Sequence, residues 1–420
     1  MKEMGYSMSE ESDFLRNLMF KSFPERLKKR RIKEINIYAI LHDGDRHRVF
    51  ALFRLEEKDK RMKICLISKQ FYPKTIGGAE VYMYEIYKRI KKDNDITILT
   101  YDDVDYEEAE VIFVPKLHFT VSSFLFSIIA GLKARFGDYD IVHINGYWAE
   151  FSGLFVRNDI VTIHDVGFLM KKGVLNKIRF FILGAIMKSA KKVITVSGKT
   201  KEEILRHFKI KEDKIEVIPN GIDLEKYNSG NAGEEIRKRY GINEKEIIFS
   251  FGRFARNKGY EYLIDAFKEV NQKLKNSYLI IAGRAEDRKY VEELEKRAKG
   301  INNMLLLQNV SEDEKLGLFS ACDIYCQPSI AEEGFGIALL EAMASGKAFV
   351  ATKIFSGIEH IPEEFLVEER NVKELAGKII ELLNSDYKEI GMKMRRRVEK
   401  YSWDNAVDEI LKLYEEVKMA

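Results

Sequence analysis

The chain has 420 residues, more than one hydrophobic core organises, so at least two domains are expected. Hydrophobic residues make up 45% and charged residues 33%, a soluble globular composition that excludes disordered and fibrous classes. Seventy basic against 67 acidic side chains leave a net charge of +3, which excludes a nucleic-acid binder working through bulk charge.

The first 20 residues are polar and acidic and lack the apolar core of a secretory signal. Phe14–Arg31 reads as a basic amphipathic helix interrupted at Pro24. Ile35–Leu41 and Val49–Leu55 flank the turn-rich His42–His47 and read as a hairpin. Residues 1–61 are therefore expected to be an N-terminal extension, either a native arm or upstream translated sequence.

From Met62 the rhythm changes. Lys63–Ser68, Ile96–Thr100, Val111–Val114, Ile141–Ile144, Ile160–Ile163, Val193–Val196 and Ile215–Ile218 are short, β-branched and non-alternating, as parallel strands covered on both faces should be. Helical patterns such as Ala79–Ile90 and Thr200–Phe208 lie between them, the latter opening on a Thr200/Glu203 capping-box spacing. A polar interval, Tyr227–Gly233, precedes a second set of strands: Ile247–Phe251, Tyr278–Ala282, Met304–Leu307, Asp323–Cys326 and Phe349–Ala351. Ser311 and Glu314 have the spacing of another capping box. Two runs of βα units imply an α/β fold of two Rossmann-like, doubly wound domains facing a central cleft. The expected boundaries are 62–228 for the first domain and 229–402 for the second. An amphipathic helix at 403–420 is expected to pack back toward the first.

In such sheets ligands gather at the carboxyl ends of the strands. The loop after the first strand carries Gly77 and Gly78 just before a helix, where paired glycines let the backbone approach a ligand and the helix start favours anions. In the second half, Arg253 and Lys258 share one such loop and suit a pyrophosphate, the first as a bidentate fork and the second as a point charge. Glu333 and Glu341 bracket Gly334, Phe335 and Gly336, a strand-to-helix turn able to cradle phosphate. The two carboxylates are suited to sugar hydroxyls.

The ordered series GGAE (77–80), DIVHINGYW (140–148), VTIHD (161–165), VITVS (193–197), VIPNGID (217–223), FGRFARNKG (251–259) and EGFGIALLE (333–341) resembles retaining glycosyltransferases of family 4, with the GT-B architecture. The resemblance covers most of 62–420 and implies an acceptor-side domain at 62–228 and a nucleotide-sugar-binding domain at 229–402. It implies that Arg253 and Lys258 bind the donor diphosphate, that Glu333 holds the transferred sugar, and that Glu341 holds the ribose. Gly77 and Gly78 would lie near the diphosphate or the acceptor, with Gly334, Phe335 and Gly336 also at the donor. His143 would be catalytic, in a strand-end motif whose usual second histidine is here Asn145, so either position could contact the sugar. Other departures are Gly346-Lys347-Ala348-Phe349, which lacks the usual Pro, and a shortened stretch around Ile358–Phe365. His164 and Asp165 end a strand at the ligand edge and either line an acceptor site or satisfy the loop.

The resemblance implies a sugar moved from a nucleoside-diphosphate sugar to a hydroxyl acceptor. A sugar-nucleotide epimerase and a catalytically degenerate partner subunit are the alternatives. No cofactor is expected beyond the donor itself. No metal is expected either, because Asp43/Asp45, Asp103/Asp105 and Asp138/Asp140 are pairs that arise readily in a charged chain. Cys65, Cys322 and Cys326 form no disulfide framework and suggest a reducing, cytoplasmic compartment. The most apolar stretches, Phe119 to Leu132 and Phe180 to Met187, are shorter than the ~20 residues that span a bilayer. With nearby basic residues in 119–135 and 171–192, they suggest peripheral contact with a membrane and a lipid-linked acceptor; the bland reading is a solvated basic face.

Overall fold

The computed structural model describes residues 32–43, 46–55, 61–75, 77–115, 119–146, 149–156, 159–167, 173–227, 232–331 and 333–419. The expected helix at Phe14–Arg31 lies outside these residues. The chain divides into two compact units, Met1–Met62 and Lys63–Ala420. In the first, β1 (Ile32–Asp43) and β2 (Arg46–Leu55) form an antiparallel ladder with His42 opposite His47. This hairpin is longer at both ends than the apolar runs alone suggest.

The second unit holds two parallel sheets. The first contains β3 (Lys63–Ile67), β4 (Asp95–Thr100), β5 (Ala109–Val111), β6 (Ile141–Asn145), β7 (Ile160–Ile163), β8 (Lys192–Thr195) and β9 (Ile215–Val217), in spatial order 5-4-3-6-7-8-9. Its helices are α1 (Gly78–Ile90), α2 (Phe119–Phe136), α3 (Val174–Ser189) and α4 (Gly198–His207). Continuous burial of Ile64, Cys65, Leu66 and Ile67 explains the absence of alternation in that run: both faces are covered. Two local readings need correction. The edge strand is Ala109–Val111 rather than Val111–Val114. Helix α4 starts at Gly198, two residues before Thr200: Ser197 is the N-cap, its hydroxyl accepting the Thr200 N–H at 3.2 Å.

The second sheet runs β12-β11-β10-β13-β14-β15, made of β10 (Glu246–Phe251), β11 (Ser277–Gly283), β12 (Met304–Gln308), β13 (Ile324–Gln327), β14 (Ala348–Thr352) and β15 (Leu366–Val367). The two-residue β15 went unread because it is too short for any periodicity. Helices α5 (Ala232–Arg239), α6 (Tyr260–Lys273), α7 (Arg288–Ala298), α8 (Glu312–Ala321), α9 (Ile337–Ala344), α10 (Val372–Leu383) and α11 (Tyr387–Val398) cover it. Ser311 caps α8 as expected, accepting the Glu314 N–H, but the Glu314 carboxylate binds Tyr240 instead of closing the box.

Chain direction in each sheet reverses its spatial progression between β3 and β6, and between β10 and β13. These switch points open crevices at the carboxyl edges, where ligands of doubly wound sheets bind. The chain crosses between the two sheets twice, side by side. Ile222 N–H donates to Tyr401 O at 2.7 Å and forms a parallel bridge with Ser402. Gly221 lies against the Trp403 backbone so closely that a Cβ has no room. The last helix, α12 (Trp403–Met419), then packs on the first sheet's side: Tyr414 meets His143, Lys418 pairs with Asp140 at 3.2 Å, and Asp404 binds Arg89 at 2.6 Å. All three cysteines are buried thiols.

Candidate active site

A cleft of about 390 Å³ lies between the two carboxyl edges. From the first sheet, the loop after β3 is braced by Asp102, whose Oδ2 accepts from Phe71 N–H at 2.9 Å and Thr75 Oγ1 at 2.6 Å. The loop ends at Gly77 and Gly78, and both line the cleft. Gly77 has extended backbone that any residue adopts (φ −156), and the end of the Glu80 side chain folds back over it into the space a Cβ would take. A Cβ on Gly78 would stand 2.9 Å from Ile337 Cδ1 of the opposite half. Gly78 thus serves close approach of the two halves. Glu80, at the cleft wall, is buried. Burial raises its pKa, partly offset by Arg253 and Arg284 across the gap.

From the second sheet, β10 runs through Gly252 into Arg253, a 3-10 turn at Arg256–Lys258 and Gly259. Gly259 combines left-handed φ (65) with Pro328 O where its Cβ would be, so only glycine fits. Arg253 binds Glu286 Oε2 at 2.7 Å. Lys258 pairs with Glu333 Oε1, both side chains under a fifth exposed, and Ser329 Oγ donates to the same oxygen at 3.0 Å. Gly336 takes φ 81 to start α9, so the amino end of that helix opens on the cleft through Gly336, Ile337 and Ala338. Phe335 lines the cleft beside Gly334, but its ring is buried against His360 (4.5 Å) and Tyr401 (6.2 Å), so it offers mainly backbone.

The two halves touch here. Ser197 Oγ donates to Gly334 O at 2.8 Å, and a Cβ on Gly334 would fall 1.8 Å from His164 O. The remaining expected residues divide. His164 and Asp165 line the cleft; His143, Asn145 and Glu341 do not. His143 is fully buried, one ring nitrogen 2.6 Å from the Tyr414 hydroxyl and the other 2.7 Å from Thr162 Oγ1, so it braces α12 against β6 and touches no ligand space. Asn145 is buried beneath the cleft. Its amide nitrogen donates to Ser68 Oγ (3.1 Å) and Ala79 O (3.0 Å), which turns Oδ1 toward His164 Nε2 at 2.7 Å. His164 therefore donates from Nε2 and carries an acceptor Nδ1. Burial lowers its pKa to about 4, which keeps the ring neutral. Glu341 sits one turn beyond Ile337 on α9, with Tyr227 and Lys315 at its carboxylate.

Sequence reasoning missed Arg284, Glu286, Glu80 and Asn220 as cleft residues. Arg284 and Glu286 follow β11 at its carboxyl end, and the rule that found Arg253 after β10 would have found them. Arg253, Lys258 and Arg284 give the cleft three cations beside a helix start, an arrangement suited to a charge-rich anion. Among the described residues no group of three or more His, Cys, Asp or Glu side chains is placed to hold a metal. No described helix is long and apolar enough to cross a membrane.

Comparison with known proteins agrees with this layout. Residues 233–404 match the model for glycosyl transferases group 1, and residues 76–226 match the model for glycosyltransferase family 4. An uncharacterized glycosyltransferase of Methanocaldococcus jannaschii is 26% identical over 383 residues, 84% of this chain and 98% of that protein. A phosphatidyl-myo-inositol mannosyltransferase of Mycobacterium leprae is 31% identical over 217 residues, 49% of this chain and 54% of its own length. Among solved structures, Anabaena HepE in complex with UDP and glucose superposes with a TM-score of 0.72 at 20% identity, covering 85% of this chain and all of that one. The two family models fall one on each sheet, on either side of the cleft, and together they indicate a GT-B glycosyltransferase of the family 4 type.

Proposed function

We propose that this protein transfers a glycosyl group from a nucleoside-diphosphate sugar to a hydroxyl acceptor with retention of anomeric configuration. The observation that carries the reading is the Lys258–Glu333 pair in a cleft that also holds Arg253, Arg284 and the start of α9. The UDP and glucose held by the HepE relative support the same donor class. A diphosphate is already a good leaving group, so the main demand is fixed positive charge where negative charge develops. Arg253, Lys258 and the α9 amino end meet that demand without a metal. Glu333 then receives the transferred sugar, and Glu341 the ribose. His164, neutral and with Nδ1 as acceptor, takes a sugar or acceptor hydroxyl. The contact of Gly334 with Ser197 and His164 closes the cleft over the donor and limits hydrolysis by water.

The acceptor meets the first half, whose surface suits a lipid-borne one. Phe136 on α2 and Phe181 on α3 are 83% and 72% exposed, near the exposed cations Lys133, Arg135 and Lys177. Apolar rings amid basic side chains match an anionic membrane surface. Binding to anionic vesicles that weakens sharply with salt supports this; salt-insensitive or absent binding rejects it.

The central experiment measures nucleoside diphosphate release from a panel of sugar nucleotides, with and without acceptors, in the presence of EDTA. Lys258→Ala and Glu333→Ala should each abolish most turnover while leaving the fold intact. Retained turnover in both would overturn the assigned site.

A further inference from the structure

Behind the cleft, on the carboxyl side of the second sheet, a chain of charges runs from the exposed pair Lys226 and Glu312 inward to the buried pair Lys315 and Glu341. Lys226 binds Glu312 Oε1 at 2.7 Å, Glu312 meets Lys315 at 2.9 Å, and Lys315 Nζ reaches Glu341 Oε1 at 2.8 Å. Tyr227 donates its hydroxyl to that same Glu341 oxygen. Lys315, on α8, is buried along its whole length, and its ammonium lies 5.5 Å from the ring of Phe251, the last residue of β10. Burial works to lower its pKa, but Glu341 and Glu312 outweigh it and raise it, so the cation persists.

Two donors converging on one carboxylate oxygen fix the rotation of the group. Glu341 Oε2 takes no hydrogen bond among the described residues, yet it is not one of the sealed, unsatisfied buried atoms, so it keeps access to solvent. Ile337 and Ala338, which line the cleft, are four and three positions away on α9, so Glu341 shares their helix face. A carboxylate held by one oxygen and open at the other is a directed acceptor for a hydroxyl.

We propose that Lys315, assisted by Tyr227, is a positioning residue that aims Glu341 Oε2 at the ribose hydroxyls of the donor nucleotide. This rests on the assignment of Glu341 to the ribose. Lys226 and Tyr227 follow directly on the first chain crossing between the sheets, at Ile222. The same network therefore ties the ribose carboxylate to the segment at which the chain first crosses between the sheets.

The test is calorimetric binding of uridine, guanosine and adenosine diphosphates to the full chain, each against its 2′-deoxy counterpart. Hydrogen bonds to a charged group correspond to about 10-fold or more in affinity. The wild type should prefer the best ribonucleotide over its deoxy form by at least that factor. Lys315→Met should bring the two within about 3-fold by weakening the ribonucleotide alone, while Lys315→Arg retains most of the preference. A purely structural role would weaken both nucleotides equally. A full preference in a folded Lys315→Met protein overturns the proposal. If Lys315→Met does not fold, Tyr227→Phe decides: a preference reduced about 3-fold or more supports it, and an unchanged one overturns it. Glu341→Gln separates the two levels. If it keeps the wild-type preference, the ribose assignment itself fails; if it loses the preference while Lys315→Met keeps it, only the role of Lys315 fails.

Discussion

Gly334 offers a test of domain closure that is separable from folding. It has no left-handed φ, so alanine is allowed by its backbone, and any penalty must come from space. A Cβ there would sit 1.8 Å from His164 O, which belongs to the opposite half. Normal contact between these atoms is over 3 Å, so one backbone must retreat by more than an ångström. Overpacking of this kind costs about 1–3 kcal/mol. The clash exists only when the halves are together, so the cost falls on the closed, reactive arrangement. Gly334→Ala should lower kcat/KM by about 5- to 150-fold. The midpoint of thermal unfolding without ligand should move by no more than about 2 °C, because the open form has room for the methyl. Steady-state kinetics and calorimetry read the two quantities. Wild-type kcat/KM would refute the close approach in the working enzyme; a large fall in the unfolding midpoint would show the contact to be structural.

Arg284→Gln should weaken nucleoside diphosphate binding by about 10-fold, read by calorimetry, since it removes one charged donor from the anion site; unchanged affinity would remove Arg284 from it. Burial raises the Glu80 pKa above its ordinary range, so the folded protein holds that proton more tightly than the unfolded chain does. Ionised Glu80 is therefore a cost at neutral pH. Glu80→Gln should raise the unfolding midpoint at pH 7, with the gain fading as pH falls into the ordinary carboxylate range; a loss at pH 7 would show that the attraction to Arg253 and Arg284 dominates. Burial holds His143, His164 and His360 at pKa values of about 3, 4 and 3. As pH drops from about 6.5, the unfolded chain takes up protons the folded chain refuses, so stability should decline toward pH 4. His360→Gln should remove about one proton from that slope, measured by denaturant unfolding between pH 6.5 and 5. An unaltered slope would place His360 outside the acid transition.

Much of the scaffold was legible because parallel strands buried on both faces leave short continuous β-branched runs, and nearly every such run after Met62 became a strand. Where pattern fails, geometry explains it. β15 is too short to show a period, and β5 is an edge strand whose apolar continuation, Ile112 and Val114, belongs to the core without belonging to the ladder. The α4 cap was read three residues late because Ser197 and Thr200 are both good capping types and spacing alone favoured the second. The cleft loops were legible because glycines and cations fall at strand ends. His143 was not, since a strand motif says nothing about depth. His143 and Asn145 share a face, but His143 lies two residues, about 6.6 Å, further from the ligand edge. His164, one strand over, reaches the cleft instead. Glu341 was identified from its spacing, but its tie to Lys315 spans 26 residues and two different helices, which no local pattern reveals.

The most direct test follows the first product by proton NMR, starting from whichever sugar nucleotide the protein turns over. The account predicts that an α-linked donor gives an α-linked product, with one nucleoside diphosphate released per sugar transferred and no turnover in Lys258→Ala. A product of inverted configuration, or failure to turn over any nucleoside-diphosphate sugar with any acceptor, would contradict it.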